Sequence, residues 1–338
     1  MRRRGLLVAL PLVLALVAGA CGSSDDDGGS GSTAGGDKLT GSVVVTGSST
    51  VEPISIAVAE KFNEKNPDVD VPVDGPGTGD GFEIFCKGDA DINDASSKIK
   101  QEQIDACKAG GVEFIELKIG FDGLSVMTNT ENTAVKCLSF ADLYALTGPE
   151  AKGVTNWNGA EKIAKELGST TDLPDLPLNV VGPGEESGTF SSYIDIVLKS
   201  NAEARKQEAT TRPDYQSSAD DNVIVQGVGG SKGSLGWVGH AFAENAKDIR
   251  ILEVAKRPGG CVAPTNETIA DGSYPISRPL FIYVNKAKAE SNKALAAYVD
   301  FYLNDAIASV GEVGYVDLPD DLLTETKTRW TDRTAGAK

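Results

Sequence analysis

Apolar residues recur along this chain with two periods, and the alternation between those periods lays out a fold. Residues 42–46 (SVVVT) form a β-branched run that predicts a strand. After Gly47-Ser48-Ser49-Thr50, the positions Val51, Ile54, Val58 and Phe62 are three or four residues apart. That spacing is one face of a helix, and Pro67 closes it. Val69, Val71 and Val73 alternate with Asp70 and Pro72, predicting a second strand whose proline suits an edge. A glycine-rich loop at 75–81 leads into a short helix through Phe82 and Phe85, and 112–119 and 124–128 read as two more strands. Beyond Asn129 the pattern predicts helices over 138–146, 190–199, 221–228 and 292–304, and strands over 178–181, 234–238, 249–254 and 279–284. Strands alternating with helices predict an α/β fold built on a mostly parallel sheet.

The first residues bear on compartment. Arg2, Arg3 and Arg4 precede an apolar run at 6–17, broken only by Pro11, and the small residues Ala18-Gly19-Ala20 then meet Cys21. The run falls short of the roughly 20 residues that a spanning helix needs. The order of charge, apolar stretch and small residues is that of a secretory leader, residues 1–20. The cysteine that follows makes it similar to a bacterial lipoprotein signal, with Cys21 lipidated, although Ala18 stands where such signals usually carry leucine. Ordinary secretion with Cys21 as a spare thiol is the competing reading. Residues 22–37 are only Gly, Ser, Asp, Thr and Ala, so 21–40 is expected to be a tether with a reach of roughly 20–25 Å. An extracytoplasmic, membrane-anchored protein is expected.

Four further cysteines, Cys86, Cys107, Cys137 and Cys261, favour two disulfides in an oxidising compartment. Three pairings are open to them, and locality favours Cys86–Cys107 with Cys137–Cys261. A zinc site is disfavoured because no C-x-x-C occurs. The formal charge of −17 argues against nucleic acid and against an anionic membrane face as partners. It does not exclude a small anion, because surface charge is screened over about 8 Å while a buried site answers to its own donors.

Two segments share a design that suits such an anion. Ser48-Ser49-Thr50 and Ser187-Gly188-Thr189 each lie between a strand with a glycine and a predicted helix. A helix start offers unpaired N–H groups and the positive end of the dipole, and hydroxyls add donors without adding charge. The plainer reading is capping: Ser49 with Glu52 fits a capping box, and Ser187 or Thr189 are ordinary caps. A third cluster, 91–98, contains Asp94, Ser96 and Ser97, and the 75–81 loop contains Thr78. A site that prefers hydrogenphosphate to sulfate needs an acceptor for the proton. Asp94 is the candidate, with Asp80 and Glu185 behind it, although each acid alone reads as solvated.

Other chemistries find less support. The 75–81 loop departs from G-x-G-x-x-G at Asp80 and has no G-K-[ST], so nucleotide binding is disfavoured. A secreted hydrolase with Ser187 as nucleophile would need a base, and the single histidine, His240, lies in a segment that reads as packing. Ser97 to Lys100 satisfies S-x-x-K without its S-D-N and K-T-G partners. Trp157, Trp237 and Trp330 read as packing rather than a sugar platform. An adhesin that keeps only the fold is a further alternative.

The order G-S-S-T-V-E-P (47–53), G-T-G-D-G-F (77–82), D-A-S-S (94–97) and G-P-G-x-x-S-G-T-F (182–190) resembles the phosphate-binding lipoproteins of the Pst-type ABC transporter. So do G-S-L-G-W-V-G (233–239), G-C-V-A-P (260–264), S-R-P-L-F-I-Y-V-N (277–285) and V-G-Y-V-D-L-P (313–319). The resemblance spans about residues 41–319. It implies a two-lobed periplasmic-binding-protein fold with two crossing strands, no enzymatic activity and no cofactor or metal. The expected partners are inorganic phosphate and the transmembrane subunits of an ABC importer, with the protein acting as a monomer. It further implies ligand roles for Ser49, Thr50, Thr78, Ser187, Gly188 and Thr189, beside Asp94, Ser96 and Ser97. The expected lobes are 41–129 plus 277–325 and 130–276, with a tail at 326–338. Two departures stand out: many relatives carry Asp where this chain has Ser97, and Arg where it has Pro183. Lys98 or Arg278 is the candidate for the missing positive charge. Sulfate or molybdate is the alternative ligand.

Overall fold

The structure, a computed structural model, describes residues 38–185 and 187–338. The leader, Cys21 and the tether up to residue 37 lie outside the described residues. No helix among the described residues is long and apolar enough to cross a membrane.

The main sheet runs in the order Val73–Asp74, Val45–Gly47, Ile92–Ala95, Ser277–Asn285, Phe114–Asn129, Ser234–Gly239, Asn179–Pro183 and Gln216–Ser218. It is mixed, which corrects the mostly parallel expectation. Ser277–Asn285 is antiparallel to both of its neighbours, and Ser234–Gly239 is antiparallel to Phe114–Asn129. The strands expected at 112–119 and 124–128 are one strand of 16 residues. Partners carry the ladder through the Gly120 to Gly123 stretch, which the sequence alone reads as a break: Ser277 faces Gly123 and Leu280 faces Gly120.

Two main apolar cores divide the molecule. The first gathers Val45, Ile54, Val58, Phe62, Ile92, Ile115, Ile282, Tyr298 and Tyr302. The predicted helix is there as Glu52–Lys65, and its Ile54-Val58-Phe62 stripe is the face it buries. The second core holds Leu143, Trp157, Tyr193, Leu235 and Trp237, with the Tyr193 and Trp237 rings stacked 4.4 Å apart. All three tryptophans are buried. The two long strands run from one core to the other, so the lobe assignments need correction at the seam. Leu124 and Val126, expected in the first lobe, pack in the second core, as do Val316 and Leu318. The expected tail at 326–338 begins inside a helix, Asp320–Thr331, whose Thr326 and Trp330 are buried. Two other elements split: 69–73 gives Val69–Asp70 and Val73–Asp74 around Pro72, and 249–254 gives Ile249–Ile251 and Glu253–Ala255. The helix Gln101–Ala109 has no counterpart in the sequence reading.

Cys86 is bonded to Cys107 and Cys137 to Cys261. The first tie joins the helix Thr78–Phe85 to Gln101–Ala109, bracing the wall that carries Thr78.

Candidate functional site

A polar cavity of about 460 Å³ opens between the halves of the molecule. From the first lobe, Ser48, Ser49, Thr50, Thr78, Ser96 and Ser97 line it; from the second, Ser191, Asp195 and Lys199; and Arg278 lines it from a crossing strand. Three of the sequence-predicted segments therefore meet at one place.

Local geometry explains how. Gly47 has φ +129, a conformation that disfavours side chains, and it lies hard against the Asp94 carbonyl and Asn93. The chain then turns, with the Ser48 N–H donating to the Asp94 carbonyl at 2.9 Å and the Thr50 N–H to Ser48 Oγ at 3.2 Å. The helix that follows is preceded by Val51 and has no side-chain cap, so the capping box expected of Ser49 does not form. Across the cavity, Thr78 Oγ1 accepts from the Ser96 N–H at 3.2 Å and lies 3.2 Å from Ser96 Oγ. That pair fixes the glycine-rich loop to the 91–98 cluster.

The second lobe behaves differently. Ser187 caps its own helix, its Oγ accepting from the Thr189 N–H at 3.1 Å. Here the plainer capping reading describes the geometry, and Ser187, Gly188 and Thr189 do not line the cavity. Gly188 instead forms the seam with the first lobe, against Thr50, the Ser49 carbonyl and the Tyr315 hydroxyl. The cavity wall comes from the next turns: Ser191, Asp195 and Lys199 are four residues apart, so one helix face presents them together.

Arg278 is the cation at the junction of the lobes, and Lys100 and Lys199 also line the cavity. The Arg278 Nη2 donates to Thr50 Oγ1 at 3.0 Å and also to Ser192 Oγ. Its Nε is 3.2 Å from Asp122 Oδ2, and its Nη1 is 3.8 Å from Asp195 Oδ2. Lys98, the other candidate, points to a different cavity beside Lys118 and Arg329 and bonds the Lys338 carbonyl.

Asp94 is a correction. Side chains alternate along Ile92–Ala95, so Asp94 shares the face of Ile92, toward the first core, while Ala95 faces Phe82 and Phe85. Its carboxyl is buried and neither oxygen reaches hydrogen-bonding geometry with a partner. Burial pushes its pKa up to about 8; the nearby Ser55 hydroxyl opposes the shift and Glu52 adds to it. Among the described residues that line the cavity it has no place. Asp80 and Glu185, the reserve candidates, are exposed, and neither lines this cavity. Among the described residues, the carboxylate that does line it is Asp195.

The lone histidine does not serve Ser187. His240 is buried, and its Nδ1 lies 2.8 Å from Ser125 Oγ. Burial holds its pKa down, against the pull of Glu244. Sequence reasoning missed Asp122, Ser191, Ser192, Asp195 and Lys199. Two signals were available: an acid inside the apolar run I-G-F-D-G-L, and the four-residue spacing after S-G-T-F.

Comparison with known proteins places the chain. Residues 32–306 match the family model described as the PBP superfamily domain. Protein SphX of Synechocystis sp. is 38% identical over 283 residues, covering 83% of this chain and 79% of that one. Phosphate-binding protein PstS of Staphylococcus epidermidis is 33% identical over 321 residues, covering 94% of this chain and 90% of the relative. In three dimensions, a possible phosphate-binding protein from Planctomyces limnophilus aligns with a TM-score of 0.76 at 35% identity, over 88% of this chain and 99% of the other. The two-lobed fold, the polar cleft and these relatives agree: the chain belongs to the PBP superfamily, in the family of substrate-binding receptors that includes PstS.

Proposed function

We propose that this protein captures inorganic phosphate outside the cytoplasm and delivers it to the transmembrane subunits of an ABC importer. The observation that carries the reading is the cavity itself, walled by hydroxyls from three first-lobe segments and served by one guanidinium. Hydroxyl and N–H donors suit an oxyanion because they supply many hydrogen bonds with little charge. Phosphate would be held by Ser49, Thr50, Thr78, Ser96 and Ser97 on one side and by Ser191 and Arg278 on the other. The Ser187-Gly188-Thr189 segment carries the closing contact. The free energy of closure comes from bonds that need both lobes, so the ion shifts the population toward the closed form. Lipidation of Cys21 would tether a monomer to the membrane within reach of the importer.

Calorimetric titration of the secreted chain with phosphate, arsenate and sulfate tests the reading. Tight binding of phosphate and arsenate with weak binding of sulfate is expected. Tighter binding of sulfate or molybdate would move the assignment to another tetrahedral oxyanion, and no binding of any oxyanion would overturn it. Metabolic labelling with a fatty acid, lost in Cys21→Ser, tests the tether.

A further inference from the structure

We propose that Asp122 is a positioning residue of the anion site: it holds the Arg278 guanidinium at the junction of the lobes, so that ion capture and closure draw on one charge. The inference rests on the phosphate reading above.

Asp122 and Arg278 stand directly opposite each other in the ladder between the two crossing strands. The Asp122 side chain is 0% exposed and its Oδ2 lies 3.2 Å from Arg278 Nε. The same oxygen accepts from Ser192 Oγ at 2.6 Å, and Arg278 Nη2 in turn reaches Ser192 Oγ and Thr50 Oγ1. The circuit Thr50–Arg278–Asp122–Ser192 thus joins a first-lobe loop, both crossing strands and a second-lobe helix. An ionised carboxylate removed from water is tolerated only beside a cation and hydrogen-bond donors. Among the described residues the Asp122 carboxyl spends its contacts through Oδ2, on Arg278 and on the Ser192 hydroxyl that Arg278 also bonds. Its placement makes sense if its task is to orient Arg278, whose long side chain otherwise has freedom to swing toward Asp195, 3.8 Å from Nη1.

The test is a double-mutant cycle on the full secreted chain, with inorganic phosphate as the titrant: wild type, Asp122→Asn, Arg278→Gln and the double variant. Asp122→Asn should weaken phosphate about tenfold and Arg278→Gln about a hundredfold, the scale of hydrogen bonds to charged groups. In the Arg278→Gln background the second change should cost nothing further, because there is no guanidinium left to hold. An equal loss in both backgrounds, or wild-type affinity in Asp122→Asn, overturns the inference. Should Asp122→Asn fail to fold by circular dichroism, Asp122→Glu replaces it, keeping the charge while displacing the carboxylate from its position opposite Arg278. A several-fold loss confined to the Arg278 background supports the proposal, and any other pattern sinks it. Wild-type protein that ignores phosphate altogether refutes the function reading instead, which keeps the two failures apart.

Discussion

Gly188 lies so close to Thr50 that a Cβ on the glycine would stand 2.9 Å from the Thr50 Cα. The neighbour is backbone, which cannot rotate away, so this contact sets how near the lobes approach. Gly188→Ala should hold them apart while leaving each core intact. Phosphate affinity is expected to fall by about tenfold to a hundredfold, the scale of one or two lost bridging hydrogen bonds. Calorimetry together with small-angle scattering in saturating phosphate checks this. Wild-type affinity and wild-type compaction would show that the seam does not govern closure.

Asp94 predicts a pH dependence of stability. Its carboxyl is pushed up to about 8 in the folded state, chiefly by burial, against about 3.9 in an unfolded chain. Between those values the folded protein keeps a proton that the unfolded chain releases. Stability therefore falls as pH rises through that window, by about 1.4 kcal/mol per pH unit, and levels off above the folded pKa. Asp94→Asn removes the titration. Denaturant unfolding from about pH 5 to about pH 9 should show the wild type losing stability relative to the variant up to about pH 8. Parallel curves for the two proteins would rule out Asp94 as the titrating group.

Much of this arrangement could be read from the sequence, and the misses have physical causes. Helical periodicity located Glu52–Lys65 within a few residues because its buried face is local information. The Ser49-Thr50, Thr78 and Ser96-Ser97 segments meet in the cavity because each follows a strand end on the same rim of the sheet. Asp94 was misplaced because motif order does not reveal the parity of a strand, and one residue of register moves a side chain to the opposite face. The first crossing strand reads as two because Gly120 and Gly123 look like punctuation until their ladder partners, more than 150 residues away, are known, whereas the second, expected over 279–284, is there as Ser277–Asn285. Arg278 was one of two candidates, and what separates it from Lys98 is a tertiary fact: Arg278 faces Asp122 across the ladder.

The disulfides should differ in weight. Cys137–Cys261 spans 124 residues and Cys86–Cys107 spans 21. By loop-closure entropy the long tie contributes about 4–5 kcal/mol and the short one about 3 kcal/mol. Paired Cys→Ala variants should rank in that order in denaturant unfolding. The short tie should also matter for binding, since it braces the helix that begins at Thr78. Removing Cys86–Cys107 is therefore expected to weaken phosphate binding more than removing Cys137–Cys261, although it costs less stability. The reverse order in binding would detach Thr78 from the ligand.

Asp195 bears on the choice between phosphate and sulfate. Among the described residues lining the cavity it is the one carboxylate, half exposed and 3.8 Å from Arg278 Nη1. Hydrogenphosphate carries a proton that a carboxylate can accept. Sulfate carries none near neutral pH, so its lone pairs would face those of Asp195 with no compensating bond. Asp195→Asn exchanges an oxygen for an N–H donor, which relieves sulfate and weakens the acceptor for phosphate. The ratio of phosphate to sulfate affinity should fall by about tenfold or more, equivalent to about 1.4 kcal/mol. Competition calorimetry with the two ions measures that ratio directly. If both affinities move together, Asp195 acts only on net charge, and discrimination between the ions has another source.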